Sequence, residues 1–267
     1  MNPPRNVIYG ALALVSAAFV WLTIGQASSV AMPIMLASLA MFWLCILSAE
    51  RIYGLRATLV FVALGLVVGW FAEQMGSSRG WFFGRYTYTN VLGAQLGNVP
   101  LVIPLMWFSL CHVGLVLAHL ILLHTPFASP RSVAGAAFTA FLAAMIVTAF
   151  DLGADPYFVF VLKAWIMQKT DGAWFGETVQ GFAGWMVIGF CIVFAFLLYM
   201  RSQTESRDDI PRWASLAPLF IYAGFLVFQI TLGHPVETRS IAVFAMGIPL
   251  VCAAYGWRAG RGRTHGR

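Results

Sequence analysis

The stretch SVAGAAFTAFLAAMIVTAF, residues 132–150, carries no charge and then runs into Asp151, Asp155 and Pro156. About 20 predominantly apolar residues take a helix across the roughly 30 Å of bilayer hydrocarbon. The run therefore reads as a transmembrane helix, Ser132–Gly153, closed by carboxylates. Seven further stretches read the same way: Val7–Ile24, Val30–Ala49, Ala57–Gln74, Val99–Leu123, Gly181–Met200, Trp213–Leu232 and Ser240–Trp257. The expected fold class is all-α, a polytopic membrane bundle of about eight transmembrane helices.

Composition agrees. The chain is 60% hydrophobic and 10% charged, with mean hydropathy +0.81, where a soluble domain carries about 25% charged residues. Short links predict one membrane domain, 1–257, followed by an arginine-rich tail, 258–267. With eight spans both termini share a side. That side collects Arg5, Arg51, Arg56, Arg131, Arg201, Arg207, Arg212, Arg258, Arg261, Arg263 and Arg267. The other has Arg79, Arg85, Lys163, Lys169 and Arg239. The positive-inside rule then makes both termini cytoplasmic, in a multi-pass protein of the cell inner (cytoplasmic) membrane. The net charge of +6 reflects this topology and a tail at anionic lipid headgroups. A nucleic-acid partner is not expected. The first span exceeds a signal-peptide core, although Gln26-Ala27-Ser28-Ser29 offers small residues after it. Cys45, Cys111, Cys191 and Cys252 stand singly in separate spans and read as small core residues.

Seven of the ten acids are assigned to loops, leaving Glu73, Asp151 and Asp155 at or within spans. An acid at bilayer depth costs roughly 2.5–3.5 kcal/mol on the mild insertion scales, so it usually has a partner and often a job. Asp151 and Asp155 are four apart and share a helix face. Pro156 cannot sit far inside a helix, which predicts Asp155 at a frayed end where the chain turns. Trp107 is placed about 12 Å deep in its span, after Pro100 and Pro104, which are expected to bend that helix.

Two long loops, 75–98 and 154–180, fall on the same side and are rich in glycine and aromatics. The first holds Gly80-Trp81-Phe82-Phe83-Gly84-Arg85-Tyr86-Thr87-Tyr88, the second Gly172-Ala173-Trp174-Phe175-Gly176. Loops of this length are usually functional or disordered, and aromatic content argues against disorder. For Trp21, Trp43, Trp213 and Trp257 an interfacial belt suffices. The two loops admit two readings. Either they cap an acid-lined, aromatic-walled pocket, or Arg79, Arg85, Lys163 and Lys169 pair with the acids and brace the loops.

Several chemistries find no residues here. Five histidines are too few for a membrane di-iron site, and His112 and His119 read as packing residues. No GxGxxG follows a strand, and neither a GxSxG nor a cysteine–histidine pair stands out. Asp151-x-x-x-Asp155 lacks the second aspartate cluster of a magnesium–diphosphate site, since Asp208-Asp209 falls on the wrong side. No metal or cofactor is expected. What fits is acid–base chemistry on a lipophilic molecule. A carboxylic acid in a dry pocket protonates an alkene, aromatic faces stabilise the cation, and a second carboxylate orients water. Asp151, deeper in its span than Asp155, is assigned as the proton donor, with Glu73 or Asp155 as the ionised partner.

The run Glu73-x-x-Gly76, Phe83-Gly84-x-Tyr86-x-Tyr88, Val99-Pro100-x-x-x-Pro104-x-x-Trp107 resembles the first signature of the carotenoid 1,2-hydratases, of the gamma-carotene and bisanhydrobacterioruberin hydratase type. The second signature is similar to Asp151-x-x-x-Asp155-Pro156, Trp165, Gly172, Phe175-Gly176 and Phe182-x-Gly184-Trp185. The resemblance covers roughly residues 60–200. It implies cofactor-independent addition of water across the terminal 1,2 double bond of an acyclic carotenoid within the bilayer, alongside other carotenoid-pathway enzymes. Tyr86, Tyr88, Trp107, Trp165, Phe175 and Trp185 are the expected substrate-binding residues. Where the family usually has a second tryptophan, a proline and an asparagine, this chain has Met167, Thr178 and Gly181. Three alternatives stay open: a lycopene-cyclase-like enzyme, faintly suggested by Pro235-Val236-Glu237, a small-solute transporter with an acid relay, and an assembly role.

Overall fold

In the computed structural model the described residues are 31–203 and 210–264, with positions 10, 13, 14, 16–18, 20 and 21. Helices follow one another as α1 (Met32–Tyr53), α2 (Leu55–Arg79), α3 (Val102–Leu123), α4 (Val133–Tyr157), α5 (Val179–Arg201), α6 (Arg212–Leu232), α7 (Glu237–Ala245) and α8 (Gly247–Thr264). Seven segments are long and apolar enough to cross a membrane, α7 and α8 together supplying the seventh over Glu237–Gly260. The chain is a multi-pass membrane protein. Most of the expected span Val7–Ile24, the Gln26–Ser29 stretch, Asp208-Asp209 and positions 265–267 of the tail lie outside the described residues. Helix α8 runs through position 258, where the arginine-rich tail was expected to start, as far as Thr264.

Helix α3 is the axis. Its spanning window is 78% buried, against 22% for Glu237–Gly260, and it packs on α1, α2, α4, α5, α6 and α8. A helix that is apolar all round fits such a position. Pro104 falls in the first turn of α3, where a missing N–H costs nothing. It therefore does not bend the helix, and Pro100 precedes it in a strand. For the same reason Trp107 lies in the second turn of α3, nearer the helix start than expected.

The two long loops join. Strand β1 (Tyr86–Tyr88) pairs antiparallel with β4 (Trp165–Met167), matching Tyr86 to Met167, Thr87 to Ile166 and Tyr88 to Trp165. A short hairpin of β2 (Gln95–Leu96) and β3 (Val99–Pro100) follows β1. Strand alternation turns Tyr86 and Tyr88 to one face and leaves Thr87 and Ile166 exposed on the other. Since α2 and α4 both end here, their terminal acids and the ribbon meet at one end of the bundle.

Asp155 does not sit at a frayed end. Helix α4 runs on to Tyr157 and continues as a π-helical turn, Phe158–Leu162. Pro156 has no N–H for the carbonyl of Leu152, four residues back. The indole of Trp174 donates to that carbonyl instead, at 2.8 Å. A partner from the second loop thus lets the helix pass its proline. The acid count in helices also rises, since Glu50 lies within α1 and Glu237 opens α7. Of the four cysteines, Cys45 and Cys111 are buried, whereas Cys191 and Cys252 are exposed rather than core.

Candidate functional site

Beneath the ribbon lies a cavity of about 950 Å³, counting its open mouth. Glu73, Asp151, Asp155, Tyr86, Tyr88, Trp107, Trp165 and Trp185 all line it. The expected convergence of acids and aromatics is therefore present. Phe175 is elsewhere: it lines a separate depression with Phe160, Ile166 and Met167 on the outer side of the ribbon. Its neighbour Gly176 bridges back to Gly172, which turns this segment away from the cavity.

Glu73, on the last turns of α2, accepts hydrogen bonds at both oxygens. Trp107 Nε1 donates to Oε1 at 2.9 Å, Tyr88 donates to Oε2 at 2.8 Å, and Tyr86 also donates to Oε2. Burial, with Glu73 beside them, pushes both phenols well above their ordinary pKa, so they remain donors. Gly76 makes the arrangement possible, because a Cβ there would lie 3.1 Å from the Tyr86 hydroxyl and 3.0 Å from Phe83 Cδ2. The Glu73-x-x-Gly76 spacing thus has a steric cause, one helical turn leaving room for the phenol.

Asp151 and Asp155 face the same space from α4. Trp165 Nε1 donates to Asp155 Oδ1 at 2.9 Å. Asp151 is 2% exposed, and its Oδ2 has no hydrogen-bond partner among the described residues. The partners of the acids are phenols, indoles and a further carboxyl. Arg85 and Lys169 line the cavity as exposed residues, at its mouth. The brace of Arg79, Arg85, Lys163 and Lys169 is not what holds these groups.

The further carboxyl is Glu177, which sequence reasoning left among the loop acids. It is 5% exposed, lines the cavity and hydrogen-bonds Asp155. Burial first, and then Asp151 and Asp155 nearby, push it up to about 12. The shift favours the protonated form of Glu177, which shares a hydrogen bond with Asp155, while its Oε2 has no partner among the described residues. Its seat depends on Gly181, where a Cβ would lie 2.6 Å from Glu177 Oε1. The one available signal was Glu177 standing four residues before a glycine at a helix start.

The walls are aromatic. Trp107 and Trp185 stack with centroids 4.5 Å apart, and Phe83 lies 6.2 Å and 6.5 Å from them. Tyr88 meets Trp165 edge-on at 5.8 Å, and Phe158 stacks on the other side of Trp165 at 5.1 Å. Among the described residues no group of three or more His, Cys, Asp or Glu is placed to hold a metal ion. Chemically the site offers buried carboxyls with unclaimed oxygens, one carboxylate saturated by donors, and π-faces around them.

A family model described as carotenoid biosynthesis protein matches residues 28–252. No curated protein and no solved structure matches the chain.

Proposed function

The chain belongs to the carotenoid biosynthesis protein family, and from that premise we propose that its pocket adds water across the terminal 1,2 double bond of an acyclic carotenoid end group. Asp151 passes its proton to C2 of the alkene, leaving the charge on tertiary C1. Trp107, Trp185, Tyr86 and Tyr88 oppose that charge with their π-faces, at about 0.5–2 kcal/mol each. Glu73 has three donors on its oxygens, so its part is to offset the cation and fix the phenols rather than to hold water. Asp155 orients the water, takes its proton as oxygen bonds to C1, and returns that proton to Asp151 through the adjoining carboxyls. The balance is alkene plus water to tertiary alcohol. No electron is transferred, so no redox cofactor is required. The substrate reaches the site within the bilayer, and the arginine distribution supports placing the loop end away from the cytoplasm.

The observation that carries this reading is Asp151 Oδ2, buried in the wall of an aromatic cavity without a partner among the described residues. The test is Asp151→Asn, expressed beside the unaltered protein in a lycopene-producing host. Asparagine keeps the size and removes the transferable proton. Hydroxylated product, followed by chromatography and mass spectrometry, should fall by about 10²–10⁴-fold at equal protein level. Normal product from the variant would remove Asp151 as the acid. A ringed product from the unaltered protein would move the chain to a cyclase, which shares the first protonation.

A further inference from the structure

We infer that a second, apolar groove beside the acid pocket holds the polyene chain of the substrate and opens to lipid between α1 and α6. The identity of that chain rests on the hydration reading. Its elongated, apolar character rests on the groove itself.

The groove encloses about 800 Å³, counting its open side, between α1, α3, α4 and α6. Ile34 and Met41 of α1 face Phe225 and Phe228 of α6 across it. Ser38 is the one hydroxyl in the lining, and it is already spent on the carbonyl of Ile34 at 2.8 Å. A polar solute would lose its hydration there without compensation. An apolar chain has no hydrogen bonds to give up there.

The groove and the acid pocket share three wall residues, Met106, Phe150 and Phe158. Each adjoins a member of the site. Met106 precedes Trp107, Phe150 precedes Asp151, and the Phe158 ring lies at 9° to Trp165, whose indole donates to Asp155. A chain lying in the groove therefore delivers its end to the carboxyls. At the opposite side Ala37 of α1 and Gly224 of α6 line the groove and are exposed. A Cβ at Gly224 would meet nothing within 4 Å. Small residues at that position leave a lateral opening from the bilayer. From Ile34 to Met41, and from Ile221 to Phe228, the walls extend two turns, on the order of 10 Å. The groove thus grips the segment next to the reacting end, and the remainder of a long molecule stays among the lipids.

Gly224→Phe tests this, because the open space at Gly224 admits a ring without displacing the fold, and Gly224 lies outside the acid pocket. Val227→Phe is the control, an exposed residue on the same helix that does not line the groove. Two readouts are taken from the full chain: lycopene retained on purification, and hydrated product in the lycopene-producing host. Gly224→Phe should lose at least tenfold in both, while Val227→Phe stays within twofold of the unaltered protein. Equal lycopene retention in Gly224→Phe overturns the groove and leaves it to lipid acyl chains. An equal loss in Val227→Phe overturns it as well, by showing an unspecific effect. Lycopene retention that needs Gly224 but yields no hydrated product keeps the groove and removes the hydration reading. Hydration unaffected by Gly224→Phe does the reverse.

Discussion

Helix α3 carries buried polar side chains in both halves, and the two halves use them differently. Deep in the bundle His112 Nε2 lies 3.0 Å from Ser48 Oγ, whose own hydrogen goes to the carbonyl of Ala214 at 2.7 Å. The imidazole is therefore the donor in that pair. Further along, His119 faces the carbonyls of Leu115 and Ala128 at 3.0 Å and 3.2 Å. Toward the loops, Trp107 of the same helix donates to Glu73, and Asp151 Oδ2 and Glu177 Oε2 are unclaimed among the described residues. His112 Nδ1 is unclaimed too. Around it stand the rings of Tyr53, Phe61 and Phe108, with centroids 5.6 Å, 6.4 Å and 6.1 Å from that of the imidazole. An orphaned polar atom marks a reactive site where space adjoins it; where rings fill that space it is a tolerated cost of packing.

After Asp151→Asn, the largest effect this contrast implies comes from filling the space beside Glu177. Gly181→Asn would place a Cβ 2.6 Å from Glu177 Oε1, forcing the carboxyl aside and giving the pocket the crowded character of the core. Misplacement of about 1 Å near a reacting centre costs about 10²-fold. Hydrated product should fall by about 10- to 100-fold in Gly181→Asn at unchanged protein level, read by the same chromatography. Undiminished product would mean that Glu177 stands apart from the chemistry.

A smaller effect belongs to the wall rather than to the reaction. Trp174 supplies the hydrogen bond that Pro156 denies to Leu152. Trp174→Phe keeps the ring and removes the donor. Leaving a carbonyl unpaired costs about 1–3 kcal/mol, so thermal unfolding in detergent should begin several degrees lower. An unchanged transition would show that water reaches Leu152, and that this wall is as wet as the mouth.

The contrast also explains what could be read from the chain beforehand. Apolar runs without charge mark membrane helices by composition alone, so the spans from Met32 onward begin within a few residues of expectation, while that of α4 runs on past Gly153 to Leu162. Glu73, Asp151 and Asp155 stood out because their neighbours are apolar, and their convergence with Trp107 follows from helix direction. Glu177 did not stand out, since its neighbours read as loop. Its burial is set by the β1–β4 ribbon and by the absent side chain at Gly181. Asp155 was misplaced for a related reason: proline rules are local, while the indole that satisfies Leu152 comes from 22 residues away. Phe175 was grouped with the pocket through the family resemblance, and the Gly172–Gly176 bridge turns it outward. Local patterning reveals which residues lie in the membrane. Which loop side chain turns inward is decided by pairings between distant segments.

The fourth carboxyl is tested directly through the pH dependence of stability. Glu177 is hydrogen-bonded to Asp155 and lines the cavity with Asp151 of α4, with Arg85 and Lys169 exposed at the mouth. Its carboxyl is raised from an ordinary value of 4.5 to about 12. Between those two values the folded protein holds a proton that the unfolded chain has released. Stability then falls as pH rises, by at most about 1.4 kcal/mol per pH unit for one group. Glu177→Gln is neutral at every pH and removes that dependence while keeping a donor toward Asp155. Thermal unfolding in detergent at pH 5, 7 and 9 should show the unaltered protein losing stability with rising pH more steeply than Glu177→Gln. Parallel slopes would mean that Glu177 is already ionised across this range, and the pocket would be left with the three acids of its helices.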